Sequence, residues 1–285
     1  MKWCQRHYMP RSQSVHFFIQ ALLWTGLIWP SMSSAQQQQS FHSISYYKIV
    51  PGKEQTLRSN MQAVDAKVQQ ERVNKGAISG WYLYEVLSPS GVSAEYNYVV
   101  VTIANRYKDI FETPYTFDSA LKKIYQGKDE KFFSGYYSRL TGVRTLVKEE
   151  VYVALAVADS TSRGFTSKYI VADFMQPKPE KFGQYIKSEM DTFRVIHKER
   201  VKLGDISQWA CLQLFWPFDV KTGYAVLDLN FYTNLDAMLY AKYSEALKAT
   251  FPTVDLGTLF QSVATMRDNP KADLWRLVLY ALPNK

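Results

Sequence analysis

Four polar side chains in the second half of the chain lie among apolar and aromatic neighbours, namely His197, Gln213, Asp228 and Asn230. Asp228 and Asn230 have strand spacing, so both side chains point to the same face of a sheet. A carboxylate buried on such a face costs several kcal/mol unless it is paired. We therefore expect Asp228 to contact a partner side chain, a water molecule or a bound ligand.

Aromatic residues accompany these polar groups in both halves of the chain. Aromatic walls with a few polar groups are typical of sites for small, largely apolar molecules. The alternative is a set of hydrogen bonds that bridges two sheets without any ligand. If the residues do line a pocket, the ligand-binding set is Trp81, Glu85, Tyr98, His197, Trp209, Gln213, Asp228 and Asn230.

His197 falls within the apolar stripe of a predicted helix, with Gln69 at the matching position of the first half. A histidine in such a stripe is either a hydrogen-bonded core residue or a ligand. His197 and Cys211 are the only plausible soft metal ligands in the predicted core. Two such ligands are too few for a structural zinc site. We expect no metal site.

Two arginines, Arg72 and Arg200, occupy the final turns of the two long predicted helices, on the side that faces the sheet. A cation there complements the partial negative charge of the helix C-terminus and can pair with a neighbouring acid. The same guanidinium groups could instead hold an anionic ligand at the mouth of a barrel.

An internal repeat sets the architecture that must position these residues. Shifting residues 41–155 forward by 128 positions places them on residues 169–283 without a gap. The segments Glu71-Arg72-Val73, Gly76, Ile78-Ser79 and Trp81 recur as Glu199-Arg200-Val201, Gly204, Ile206-Ser207 and Trp209. This period is too long for a solenoid, so we expect two domains, residues 41–160 and 161–285.

Each copy has the same predicted order: strand, helix, strand, strand, helix, strand. The first long helix covers residues 54–75 and ends at Gly76, and its counterpart covers residues 180–203 and ends at Gly204. Hairpin strands follow at residues 78–87 and 96–104, and again at residues 206–216 and 224–232. This order predicts an α+β fold of tandem ferredoxin-like βαββαβ modules that pack sheet to sheet as an intramolecular α/β barrel.

Alternation along the hairpin strands of the second copy separates two sets of side chains. We assign the continuous apolar set to the helix-covered face and the mixed polar set to the opposite face. The apolar set is Ile206, Ala210, Leu212, Leu214, Ala225, Leu227, Leu229 and Phe231. Some positions are polar only in the second copy, such as Asp228, which corresponds to Val100 in the first copy. The second module is therefore the expected ligand site.

The chain resembles the dimeric α/β-barrel superfamily, in which two ferredoxin-like units close their sheets into a barrel. The resemblance rests on the βαββαβ order, the Glu-Arg-Val-x-x-Gly end of the long helix and the Ile-Ser-x-Trp entry to the next strand. It implies a function among cofactor-free monooxygenases, haem-binding or haem-degrading enzymes, isomerases and proteins without known activity. Haem-binding relatives place an axial histidine between helix and sheet, which makes His197 the residue to test.

The N-terminal residues have the layout of a secretory signal peptide. Basic residues precede an apolar stretch that is too short to span a membrane, and small residues follow it. We expect residues 1–35 to be cleaved, residues 36–40 to form a flexible leader, and the mature protein to be periplasmic or secreted without stable membrane insertion. An uncleaved anchor is the alternative.

Composition excludes several classes of function. The net charge of +8 is spread along the chain without a basic run, so nucleic acid is not an expected partner. The sequence has no phosphate-binding glycine loop, no His-Glu-x-x-His motif and no nucleophile elbow. We expect a small-molecule ligand and a monomer or homodimer. The alternatives are a cofactor-free or haem-dependent monooxygenase, and a structural protein with a solid core.

Overall fold

The computed structural model describes residues 39–89, 94–159, 166–217 and 223–283. The predicted signal peptide and most of the predicted leader lie outside these residues. Within the described ranges, no helix combines the length and the apolar character needed to cross a membrane.

The first half contains four strands in the predicted order and four helices, three of which lie between the third and fourth strands, where the sequence predicts one helical region. Helix α1 begins at Glu54 and ends at Asn74, and a π-helical turn at Met61–Asp65 interrupts its α-helical hydrogen bonding. Gly76, at φ +67°, follows the helix and directs the chain into the next strand, as the sequence predicts. The other elements are β1 (Phe41–Ile49), β2 (Gly80–Ser88), β3 (Tyr98–Ala104), α2 (Tyr107–Phe111), α3 (Phe117–Ile124), α4 (Glu130–Thr141) and β4 (Arg144–Asp159).

The second half repeats this arrangement. Its long helix α5 runs from Phe182 to Lys202 and has its own π-helical turn at Glu189–Phe193, at the position equivalent to that in α1. The remaining elements are β5 (Tyr169–Pro177), β6 (Gln208–Trp216), β7 (Val226–Tyr232), α6 (Leu235–Leu239), α7 (Tyr243–Thr250), α8 (Leu256–Ala264) and β8 (Arg267–Ala281).

All eight strands form one closed barrel in the order β1-β3-β2-β8-β5-β7-β6-β4. Each half supplies four antiparallel neighbours in the ferredoxin-like order, and the halves are joined by hydrogen bonding between β2 and β8 and between β4 and β6. The tandem modules and the intramolecular α/β barrel are therefore as predicted. The two halves meet edge to edge, which leaves no open sheet edge among the described strands.

The barrel interior is packed with large side chains from every strand, including Tyr46, Tyr84, Tyr152, Phe174 and Trp275. Aromatic rings dominate this core, and they bury more apolar area per residue than aliphatic side chains do. Separate apolar clusters lie between the sheet and the helices, one against α1 and one against α5. The inner and outer faces of the sheet are thus both buried.

This packing overturns the predicted assignment of faces. Of the apolar set, Ala210, Leu212, Leu214, Leu227, Leu229 and Phe231 point into the barrel. Trp209 and Cys211, from the mixed set, pack under α5 against Tyr185 and Phe193. Alternation shows which residues share a face, but it does not show which face the helices cover, and the barrel interior is the more apolar environment of the two.

The gapless register of the repeat is wrong in the last strands. Tyr46 pairs with Lys148 and Phe174 pairs with Lys271. Tyr46 and Phe174 are 128 residues apart, but their partners are 123 residues apart. The connection through α6, α7 and α8 is therefore shorter than its counterpart, and Arg144 at the start of β4 corresponds to Arg267 at the start of β8.

A pair of polar contacts crosses between the halves at one end of the barrel. The Tyr96 hydroxyl of the first half donates to Asp273 Oδ2 of the second half at 2.6 Å. Reciprocally, the Tyr224 hydroxyl of the second half donates to Glu150 of the first half. Each contact gives a buried carboxylate a hydrogen-bond donor and links one half to the other.

Candidate functional site

A cavity of about 530 Å³ lies between the sheet and the helices of the first half. Its volume is in the range of sites for small organic molecules. The π-helical turn of α1 contributes Met61 and Asp65 to the wall, and π-helical turns are frequent at functional sites. Its polar lining residues include Asp65, Gln69, Arg72, Thr102, Tyr136, Arg144 and Glu149, which come from four elements.

Arg72 is a buried cation in the wall of this cavity, with 8% of its surface exposed. Its guanidinium donates to Gln69 Oε1 at 2.9 Å and, more weakly, to the Tyr115 carbonyl oxygen at 3.4 Å. None of the ion pairs among the described residues includes Arg72. Burial lowers the pKa of Arg72, but a guanidinium remains charged in proteins, so the cavity wall contains a positive charge that has no ion-pair partner among the described residues.

The equivalent arginine of the second half, Arg200, has a full set of partners. Its Nε forms an ion pair with Asp205, and its other nitrogens donate to Asn230 Oδ1 at 3.3 Å and to the Tyr232 hydroxyl at 3.1 Å. The Tyr243 ring lies 3.8 Å from the guanidinium carbon. Arg200 is fully buried, and its charge is neutralised within the protein.

Shorter side chains in the first half account for the difference between the two arginines. Ala77, Thr102 and Ala104 occupy the positions of Asp205, Asn230 and Tyr232. The backbone is the same at the first of these positions, because Ala77 N donates to Arg72 O at 3.0 Å and Asp205 N donates to Arg200 O at 3.1 Å. The first half thus keeps the arginine and removes its internal carboxylate.

Asp65 is the second ionisable group in the wall. Burial raises the pKa of its carboxyl to about 6, while the charge of Arg144 and the nearby Tyr136 hydroxyl act in the opposite direction. Although Tyr136 lies close enough to stabilise the carboxylate, neither its hydroxyl nor Asp65 Oδ2 has a well-formed hydrogen bond with a described residue. A carboxylate with a pKa near neutrality can accept a proton from a bound molecule.

The opposite side of the cavity contains another arginine. Arg144 stacks on the Tyr47 ring at 4.4 Å from the ring centroid and approaches Met61 Sδ at 3.9 Å. Glu149, also in the wall, accepts a hydrogen bond from Ser43 Oγ at 2.7 Å. The cavity therefore combines apolar walls with two guanidinium groups and two carboxyl groups, and the guanidinium groups can hold an organic anion.

Of the eight residues predicted to bind a ligand, Trp81 lines this cavity. Glu85 and Tyr98 lie together on the same outer face, where Arg58 donates to Tyr98 at 2.8 Å and to Glu85 at 2.6 Å, and Arg276 also pairs with Glu85. These contacts form a polar cluster across the β2–β8 seam rather than a wall of the cavity.

The other five predicted residues belong to the second half. His197 is stacked on Trp209 with ring centroids 4.6 Å apart, and its Nδ1 lies 3.3 Å from Arg200. Burial and the neighbouring Arg200 charge lower the pKa of His197 well below its ordinary value, so the ring is neutral. Asn230 belongs to the Arg200 network, Asp228 lies beside Cys211, and Gln213 is half-buried on β6.

Sequence reasoning favoured the second module and did not select Asp65, Tyr136 or Arg144. One signal was available, because Met61, Asp65, Gln69 and Arg72 recur at helical spacing on the buried side of α1. An acid within an apolar helical stripe indicates a special environment. Arg144 had no comparable signal, since its approach to Asp65 depends on how β4 packs beside α1.

The donors around the cavity do not fit haem. The described lining residues include neither histidine nor cysteine, and His197 belongs to the packed core of the other half. Haem iron is most often held by histidine or a cysteine thiolate. We therefore derive no chemistry through haem at this cavity.

No protein-family model matches the sequence, and no curated protein matches it. A solved structure named "putative monooxygenase" from Fusobacterium nucleatum subsp. nucleatum has a TM-score of 0.53 at 11% identity, covering 88% of this chain and 97% of that chain. Another of the same name, from Lactobacillus acidophilus, has a TM-score of 0.47 at 10% identity and covers 86% and 97%. A haem-binding protein from Thermus thermophilus has a TM-score of 0.45 at 7% identity and covers 84% and 91%.

At these identities the likeness concerns the fold. The chain has the dimeric α/β-barrel fold, with both ferredoxin-like units in a single polypeptide, as the sequence motifs predict. Fold alone does not select among the activities that it supports.

Proposed function

We propose that this protein binds a small organic acid in the cavity of the first half. The aromatic or apolar body of the ligand packs against walls that include Trp81 and Met61, and its carboxylate accepts hydrogen bonds from Arg72. The observation that carries the proposal is the contrast between Arg72 and Arg200, because the fold neutralises one buried guanidinium internally and leaves the other facing a cavity.

The geometry explains why an anion is favoured over a neutral molecule. A guanidinium presents a planar fork of donors that matches a carboxylate with two parallel hydrogen bonds. The bound carboxylate would take the place that Asp205 occupies in the second half. Charge-assisted hydrogen bonds contribute about 1.5–3 kcal/mol each, which corresponds to roughly a 10- to 100-fold change in affinity.

Calorimetry with matched probes tests this proposal. Benzoate, salicylate and 1-naphthoate are titrated into the purified protein alongside the corresponding primary amides, which have the same rings without the charge. The acids should bind, and the amides should bind at least about tenfold more weakly. Equal affinity for the acids and the amides, or no binding by any acid, would refute the assignment.

A pair of variants identifies the residue responsible. Arg72→Met should abolish the preference for the acids over the amides while preserving the fold. Arg58→Gln is the matched control, because Arg58 lies on the same helix and pairs with Glu85 outside the cavity. Loss of the preference in both variants would indicate a general charge effect.

An enzymatic role is the second candidate, and Asp65 is the observation that favours it. With a raised pKa and an oxygen that lacks a well-formed hydrogen bond, Asp65 could remove a proton from a bound phenol or an acidic carbon. Proton removal is also the step that a cofactor-free monooxygenase needs before its substrate reacts with oxygen. The fold shared with the Fusobacterium protein is compatible with this role.

Oxygen consumption with electron-rich hydroxylated aromatic acids tests the enzymatic role. Turnover should rise with pH through about 6, because only the ionised carboxylate accepts a proton. Asp65→Asn should abolish turnover without weakening the binding of benzoate. If no probe that binds consumes oxygen, the simpler binding function stands. A cavity of this size already argues against the alternative of a structural protein with a solid core.

We also propose that the protein is exported and that residues 1–35 are removed. The basic, apolar and small-residue segments at the N-terminus support this proposal. N-terminal sequencing of the mature protein from its native compartment tests it, since cleavage after Ala35 would give a chain that begins at Gln36.

A further inference from the structure

Three potential metal ligands converge beneath helix α5 of the second half. Glu189 lies in the π-helical turn of this helix, and Cys211 and Asp228 lie directly opposite each other on strands β6 and β7. One donor atom from each residue lies within 4.8 Å of the other two. All three residues are buried, and none of them lines the cavity of the first half.

The first half shows that the fold does not require polar residues here. Tyr185, Glu189, Cys211 and Asp228 correspond to Leu57, Met61, Leu83 and Val100, which are apolar. The same helix therefore packs on the same sheet without any ionisable group at these positions. Four polar replacements at one place, each of which must lose its hydration, indicate a specific role.

Incomplete hydrogen bonding is the second, independent observation. The Tyr185 hydroxyl is fully buried and lies within electrostatic reach of Glu189, Cys211 and Asp228. Neither this hydroxyl nor Asp228 Oδ1 has a well-formed hydrogen bond with a described residue. Tyr185 contacts Glu189 and Asp228, and Cys211 contacts Asp228, but these contacts are too loose to saturate the two buried oxygens, which keep unused bonding capacity at the cluster.

We propose that Glu189, Cys211 and Asp228 bind a divalent metal ion, for which zinc is the best match. A thiolate with two carboxylates combines a soft donor and hard donors, and zinc accepts both in a tetrahedral arrangement. The Tyr185 hydroxyl lies beside the same three residues and is the candidate for a fourth ligand. The ion and Arg267, whose positive charge acts on both carboxylates, oppose the negative charge of the three ligands, and Asp173 adds a further negative charge beside Asp228.

The expectation of no metal site considered only His197 and Cys211 as donors. The two carboxylates come from a helix and a strand that are distant in sequence, so only the folded chain brings them to the thiol. Burial of the cluster also means that the ion enters as the chain folds, and binding is then coupled to folding. This site is separate from the cavity of the first half and does not depend on the function proposed for it.

Metal analysis of the full-length protein tests the proposal. The protein is unfolded, stripped with a chelator and refolded with zinc or with cobalt, and elemental analysis should give about one ion per chain. The cobalt form should show absorption from thiolate-to-cobalt charge transfer. Cys211→Ser should abolish that absorption, and Asp228→Asn should lower zinc affinity by about tenfold or more.

Asp173→Asn is the matched control. Asp173 pairs with Asp228 across β5 and β7 but lies outside the three-residue cluster, so the variant should retain the ion. Loss of the ion from this control as well as from Asp228→Asn would assign the effect to net charge and overturn the proposal.

A variant that copies the first half guards against loss of metal through misfolding. Tyr185→Leu, Glu189→Met, Cys211→Leu and Asp228→Val are combined, and the protein should fold and bind no metal. Retention of the ion by this variant would place it elsewhere and overturn the proposal. Failure of the wild-type chain to bind zinc or cobalt during refolding would overturn it equally.

Discussion

Arg72 and Arg200 occupy equivalent positions in the two halves, and Arg200 is paired with Asp205, whereas Arg72 has no carboxylate partner among the residues that the structure describes. The two arginines share the last turn of a long helix and the strand that follows it. Their different surroundings arise from a few short side chains in the first half. This contrast within one molecule provides both the proposed ligand contact and its best control.

Restoring the missing carboxylate should block the site. Ala77→Asp places an acid at the position of Asp205, where the backbone already has the same geometry. Because the new carboxylate would neutralise Arg72 internally, we expect benzoate affinity to fall by about tenfold or more. Isothermal titration measures the change, and Ala77→Asn, which has a similar size without the charge, is the control. Unchanged benzoate affinity in Ala77→Asp would contradict the role of Arg72.

Removing the internal partner of Arg200 should destabilise the protein. Asp205→Asn leaves a fully buried guanidinium without its counter-ion, so we expect the free energy of unfolding to fall by about 3–5 kcal/mol. Denaturant titration measures the loss. Asp191→Asn, which breaks an exposed ion pair with Lys187, should cost less than about 1 kcal/mol. Similar losses in the two variants would mean that burial of the Arg200 pair is unimportant.

The buried Asp65 should make stability depend on pH. Its pKa is about 6 in the folded protein against 3.8 for an ordinary aspartate, so the folded state binds this proton more tightly than the unfolded state. The contribution to stability is fully present below pH 3.8 and is lost as the pH rises to about 6.

Asp65→Asn removes this pH dependence. Relative to the wild type, the variant should gain up to about 3 kcal/mol between about pH 3.5 and about pH 7, as followed by urea denaturation at each pH. Asp255→Asn, at an exposed N-cap, is a control with the reverse pH dependence. Hydrogen bonds from the Thr258 backbone and side chain lower the pKa of Asp255, so the stability that Asp255 contributes is lost as the pH falls. A stability difference for Asp65→Asn that does not vary with pH would show that Asp65 titrates normally.

The crossing contacts should stabilise the association of the two halves. Tyr96→Phe removes the donor to Asp273 and leaves that buried carboxylate with weaker contacts to Trp275 and Lys271. We expect a loss of about 1–3 kcal/mol in the free energy of unfolding. Thermal and chemical denaturation measure it, and Tyr137→Phe, which removes an exposed hydrogen bond to Asp118, is the control. A loss no larger than that of the control would show that this contact contributes little to the barrel.

Much of the architecture was determined by the sequence. The repeated Glu-Arg-Val-x-x-Gly segments and the order of strands and helices depend on local signals such as helical spacing and a glycine with positive φ. Such signals depend only on residues that are close together in the sequence. They were sufficient to predict two ferredoxin-like modules and an intramolecular barrel.

Only the tertiary structure decided which face of the sheet the helices cover and where the candidate site lies. Alternation separates Trp209 from Ala210, but it contains no information on which side the helices cover. The environment of Asp65 depends on Arg144 and Tyr136, and the cluster of Glu189 with Cys211 and Asp228 unites three separate elements. Such contacts depend on distances in space between residues that are far apart in the chain. A shift of five residues in the last strand is enough to make Arg267 the equivalent of Arg144.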